Sequence, residues 1–132
     1  MSAKLGLAQW HKVIDEGSNP HDLAAIIRED AAFHSPVVHT PQQGRDLVVA
    51  YLAAAGQTLG NDSFAYVREL VDGENAMLEF TTEMDGIHVN GVDIIRFDEE
   101  GMIADFKVMV RPLKAVNKVW EQMAAMLEAM KG

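Results

Sequence analysis

Phe64-Ala65-Tyr66-Val67-Arg68-Glu69-Leu70-Val71 stops at Asp72-Gly73, Ala76-Met77-Leu78-Glu79-Phe80-Thr81-Thr82-Glu83-Met84 stops at Asp85-Gly86, and Val92-Asp93-Ile94-Ile95-Arg96-Phe97 stops at Asp98-Glu99-Glu100-Gly101. Runs rich in apolar and aromatic residues that end in acidic-Gly turns are hairpin signals. With Met102 to Val110 as a fourth run, the stretch predicts an antiparallel sheet. Alternation in the second run puts Leu78, Phe80 and Thr82 on the inner face and leaves Glu79 and Glu83 to solvent.

Upstream of this stretch the pattern is helical. Leu5, Ala8, Trp10, Val13 and Ile14 fall loosely at helical spacing before Glu16-Gly17-Ser18-Asn19-Pro20 stops the helix. Asn19-Pro20 reads as the cap and first turn of a second helix with Leu23, Ala24, Ile26 and Ile27 as its apolar face. Ala31 to Val38, broken by Pro36, predicts an irregular edge strand and loop. Leu47, Val48, Tyr51, Leu52 and Ala55 mark a third helix ending near Gly56 or Gly60. Downstream of Pro112, Val116, Val119, Trp120, Met123, Met126, Leu127 and Met130 repeat at three and four, an amphipathic last helix. Helices followed by hairpin-linked strands predict a single α+β domain over residues 1–132, with helices on one face of a curved antiparallel sheet and residues 115–130 as a C-terminal helical extension.

The 132 residues are 48% hydrophobic and 23% charged, enough to bury one core. With 20 acidic and 11 basic side chains the net charge is -9, the wrong sign for a phosphate backbone or an anionic membrane surface, so neither nucleic acid nor membrane is an expected partner. The chain has no cysteine, which excludes thiolate metal sites and a cysteine nucleophile. No stretch approaches the roughly 20 apolar residues of a membrane span, and no apolar run long enough for a secretory signal follows Met1. The expectation is a cytoplasmic protein.

Ser35-Pro36-Val37-Val38-His39-Thr40-Pro41-Gln42-Gln43-Gly44, followed by a helix containing Tyr51, and Asp93-Ile94-Ile95-Arg96-Phe97 resemble the SnoaL-like and ketosteroid-isomerase-like proteins of the nuclear transport factor 2-like superfamily. The resemblance covers roughly Leu5 to Arg111 and implies a cone-shaped domain, the helices on the concave face, a hydrophobic small-molecule ligand and a homodimer. In ketosteroid isomerases the general base is the Asp of an Asp-Pro pair; Ser35 stands at that position, so the resemblance does not extend to steroid isomerisation by the usual mechanism. The oxyanion-binding Tyr lies 24 residues before the base, and His11 lies 24 before Ser35. Asp93 matches the acid that an apolar pocket keeps protonated as a hydrogen-bond donor.

Asp93 shares a strand face with Ile95 and Phe97, which points it inward, although pairing with Arg68 or Arg96 on a polar face is the competing reading. His11 is either a half-buried histidine of the first helix or the second member of a catalytic pair with Asp93. Trp10, Phe33, Tyr51, Phe80, Ile95, Phe97, Val108 and Val110 form the expected apolar wall of the pocket and Ser35 one of its polar groups. The same residues collapsed together would be an ordinary core. His34, His39 and His88 lack ligand spacing with a carboxylate, so no metal is expected, and no cofactor. The Met-rich last helix can pack on its own domain, cover the pocket mouth or join a second subunit. These residues suit binding of a small hydrophobic molecule and proton-transfer chemistry, namely isomerisation, dehydration or cyclisation. The alternative is a non-catalytic dimerisation or ligand-binding module.

Overall fold

The computed structural model describes residues 2–131, with Met130 and Lys131 described by backbone alone. Helix α1 (Ser2–Asp15) buries Ala3, Gly6, Leu7, Trp10 and Val13. Helix α2 (Pro20–Ile26) starts where Asn19 Oδ1 accepts the His21 N–H at 2.8 Å, with Pro20 in its first turn. The chain passes directly from α2 into strand β1 (Ile27–His34) because Ile27 already has extended backbone. The expected α2 face is thereby divided: Leu23 and Ile26 are buried in the helix, while Ile27 belongs to the strand.

After the two-residue strand β2 (Gln42–Gln43) comes helix α3 (Arg45–Leu59), and then the four expected strands β3 (Ala65–Asp72), β4 (Asn75–Met84), β5 (Ile87–Phe97) and β6 (Ile103–Arg111). These four form an antiparallel meander. Between β4 and β5 the two turn residues Asp85 and Gly86 both have positive φ, 51° and 81°, which suits the right-handed twist of a tight hairpin. The sheet order is β2-β1-β6-β5-β4-β3.

The sheet is curved and mixed rather than wholly antiparallel. β1 runs parallel to β6, with Phe33 opposite Phe106, and is covered on its other side by β2. The edge strand expected at Ala31 to Val38 is therefore an interior strand that begins earlier and ends at His34. Residues 35–38 leave the sheet as a loop, with Ser35 Oγ accepting the Val37 and Val38 N–H groups at 3.0 and 3.3 Å.

Helix α4 (Leu113–Lys131) returns over the inner face, burying Ala115 and Val119. Across the inner face Leu78, Asp93 and Val108 lie side by side, and so do Ala76, Ile95 and Phe106. Gly6 of α1 brings that helix close to the end of β5: a Cβ on Gly6 would sit 2.1 Å from Phe97 Cδ1. One end of the space between helices and sheet is thus filled solid, and the other is open.

Candidate functional site

The open end is a cavity of about 370 Å³, within the usual range of about 300–1,000 Å³ for small-molecule sites. Strand alternation builds its floor. Phe33 of β1, Phe80 of β4, Asp93 of β5 and Phe106, Val108 and Val110 of β6 all point to the inner face. Trp10 and Ile14 of α1, Tyr51 and Leu52 of α3 and the Ser35–Val38 loop form the walls, and Val119, Trp120, Met123 and Leu127 of α4 close over it. Five Phe, two Tyr and two Trp make nine aromatic residues in the chain, and all but Phe97 line this space.

Ring contacts hold the wall in place. Phe33 stacks on Tyr51 at 5.2 Å between centroids, Phe64 on Phe80 at 5.3 Å, and Trp10 tilts against Phe106 at 5.0 Å. Pairs of this kind contribute about 0.5–1.5 kcal/mol each beyond burial. The wall is consequently pre-formed.

Its polar pole is a relay with a fixed direction. Trp10 Nε1–H donates to Tyr66 Oη at 3.1 Å, and Tyr66 O–H donates to Asp93 Oδ2 at 3.0 Å. Indole nitrogen can only donate, so the Tyr66 oxygen must accept from it and the single phenolic proton is left for Asp93. Asp93 lines the cavity, and its Oδ1 has no hydrogen-bond partner among the described residues. Burial pushes the Asp93 carboxyl up from 3.8 to about 7, with the Tyr66 hydrogen bond opposing the rise. Tyr66 is held far above the ordinary phenol range, first by burial and then by the Asp93 charge beside it. It stays protonated and keeps donating.

The expected site residues divide into three groups. Trp10, Phe33, Ser35, Tyr51, Phe80, Asp93, Val108 and Val110 come together around the cavity. Ile95 and Phe97 share the Asp93 face but lie outside it, both fully buried in the solid end where α1 approaches the sheet. His11 does not meet Asp93. Its Nε2 pairs with Glu69 Oε1 at 2.7 Å and its ring stands edge-on to Tyr66 at 5.6 Å, with Tyr66 occupying the place beside the carboxyl.

Tyr66 is the residue the sequence reading missed. A bulge between Tyr66 and Arg68 adds a residue to β3, so Tyr66 opposite Phe80 and Glu69 opposite Leu78 both face inward three positions apart. A period-two reading of that strand fails past Val67, but Phe64 and Tyr66 at matching parity were a usable signal.

On the outer face His34 Nε2 pairs with Asp105 Oδ1 at 2.8 Å, and Arg96, opposite Asp105, is exposed. No group of three His, Asp or Glu able to hold a metal occurs among the described residues, and no helix there is long and apolar enough to cross a membrane.

The SnoaL-like domain family matches residues 7–106. The chain belongs to the SnoaL-like family. A steroid delta-isomerase from Pseudomonas aeruginosa has the same fold with a TM-score of 0.90 and 35% identity over 98% of this chain and 93% of that one. A cystatin-like-fold protein from Silicibacter pomeroyi gives a TM-score of 0.83 and 32% identity, covering 91% and 83% of the two chains. A de novo designed protein with a curved β-sheet shares the fold alone, with a TM-score of 0.71 and 17% identity over 92% of this chain and 98% of the design. No curated protein matches. The SnoaL-like match stops before α4, whereas the Pseudomonas chain runs alongside nearly the whole of this one, so the helix that roofs the cavity belongs to a wider structural likeness than the family's domain.

Proposed function

We propose that this SnoaL-like protein binds a small hydrophobic molecule in the cavity and uses Asp93 to move a proton on it, in an isomerisation, dehydration or cyclisation. The observation that carries this reading is the Trp10–Tyr66–Asp93 relay ending in an open, aromatic-walled space. A carboxyl held at about 7 is populated in both protonation states at neutral pH, as a general acid or base requires. In the proposed step Asp93 Oδ1 takes a proton from the bound molecule and returns it at another atom, while Tyr66 steadies Oδ2 throughout.

Ser35 does not supply a second base. Its oxygen already accepts two backbone N–H groups, and its hydroxyl is left as a donor at the cavity wall. The name of the Pseudomonas neighbour suggests an isomerase, yet the base of the usual steroid mechanism is missing here. A module whose interior is filled by its own side chains loses support from the open cavity.

Homodimerisation is part of the proposal. The outer sheet face presents half-exposed Leu70 and Met109 with the partly covered Met77, Val92 and Ile94 between them. Arg68, Arg96, Lys107 and Arg111 share that face with Glu79 and Asp105, a mixed set of four basic and two acidic side chains rather than the acidic surplus of the whole chain. Such a face can meet its own copy without strong repulsion.

Native mass spectrometry of the protein as purified tests the binding reading. Wild type is expected to retain a small molecule that Val108→Trp, which fills the cavity beside Asp93, does not. Identical masses of retained material in both would refute it. With the retained molecule identified, Asp93→Asn is expected to stay folded and lose turnover.

A further inference from the structure

Among the described residues the cavity holds one ionisable carboxyl, and no Lys, Arg or His lines it. From the elements packed around Asp93, β3 brings Tyr66 and Glu69, α1 brings His11, and α3 brings Tyr51. The register neighbours on β4 and β6 are Leu78 and Val108, and the α4 residues over the cavity are uncharged. His11 and Glu69 satisfy each other at 2.7 Å. None of the described residues donates a hydrogen bond to Asp93 Oδ1.

The relay is built for an acceptor. Trp10 and Tyr66 pass donors toward Oδ2, and the second oxygen lacks the donor that would complete an ionised carboxylate. A ligand that brings N–H donors and a positive charge completes it, because opposite charges attract strongly where water is excluded. Aromatic rings add to this: their π-faces attract cations, and eight aromatic side chains line the space. An anionic ligand, whether a carboxylate, a phosphate ester or a thioester of a phosphorylated carrier, would set two like charges in one apolar cavity.

We propose that the occupant of the cavity is a hydrophobic amine, bound as its ammonium ion with Asp93 as counter-ion and the aromatic wall around its apolar body. This rests on the reading of the cavity as a small-molecule site. The volume, about a dozen waters' worth at about 30 Å³ each, suits a compact ring system rather than a long chain.

Three probes with one apolar cage and different head groups test it by calorimetric titration between pH 6 and 8.5: 1-adamantylamine, 1-adamantanol and 1-adamantanecarboxylate. At pH 8 the amine is expected to bind at least tenfold tighter than the alcohol, and the carboxylate weakest. The amine's advantage shrinks toward pH 6 as Asp93 takes up a proton, while the amine itself stays charged throughout. Asp93→Asn is expected to erase the difference between amine and alcohol while keeping alcohol binding, which also reports that the variant is folded. An alcohol that binds wild type as tightly as the amine overturns the amine assignment and leaves the cavity reading standing. Failure of all three probes to bind overturns both.

Discussion

Replacing Asp93 with Asn keeps the shape of the side chain and removes its charge, so stability against pH isolates what the buried carboxyl does. An Asn can still accept the Tyr66 hydroxyl through its amide oxygen, with its NH₂ turned to the cavity, which preserves the relay. In wild type the folded state raises the Asp93 pKa from 3.8 to about 7. A raised acid favours folding fully below its unfolded value, and that advantage disappears as pH climbs through the folded value. From 3.8 to about 7 is roughly three units, and at about 1.4 kcal/mol per unit the full span is about 4 kcal/mol. About 1.5 kcal/mol of this is already gone at pH 5, and local relaxation and water entry reduce the remainder, so about 2 kcal/mol is expected between pH 5 and 8.5. Urea denaturation of both proteins across that range is the assay. The stability of Asp93→Asn relative to wild type should climb by about 2 kcal/mol with pH, equivalent to about 6 °C in Tm for a domain of this size. Other titrating groups are common to both proteins and cancel in the difference. Parallel curves, or a variant that loses ground as pH rises, would refute a buried carboxyl held near neutrality.

Tyr66→Phe removes the hydrogen bond that lowers the Asp93 pKa, so the carboxyl is expected to titrate above about 7; a carbon-13 NMR titration that shows it unchanged or lower contradicts the relay. Gly6→Ala pushes a methyl group into the Phe97 ring and is expected to destabilise by about 1–3 kcal/mol in urea, whereas a loss below about 0.5 kcal/mol would mean that α1 does not approach β5 so closely. Met109→Lys on the outer sheet face is expected to turn a dimer into a monomer in sedimentation velocity with stability little changed, and a monomeric wild type overturns the proposed assembly.

The fold was legible because its signals are local. Asp85-Gly86 dictates a tight hairpin wherever it falls between two apolar runs, and Asn19-Pro20 starts a helix by the same local chemistry. Pairing between distant segments leaves no such mark: nothing in Ile27–His34 shows that its neighbour is β6, some seventy residues on and parallel, so the local pattern reads as an edge strand. The site divides along the same line. Asp93 and its inward direction follow from alternation in β5, which no bulge interrupts before Arg96. Its partner does not, for two geometrical reasons. Successive residues on a helix are turned by about 100°, so the family spacing that reaches His11 misses by one position the side chain α1 actually aims inward: Trp10 is 3% exposed, while His11 faces Glu69. On the far side the bulge at Val67 puts Tyr66 in register with Phe80 and hands it the place beside the carboxyl. The donor to the acid here is Tyr66 of the sheet, and α1 supplies Trp10, which orients that donor. A tyrosine donating from the sheet floor holds Asp93 by Oδ2, at the floor of a cavity that α4 roofs.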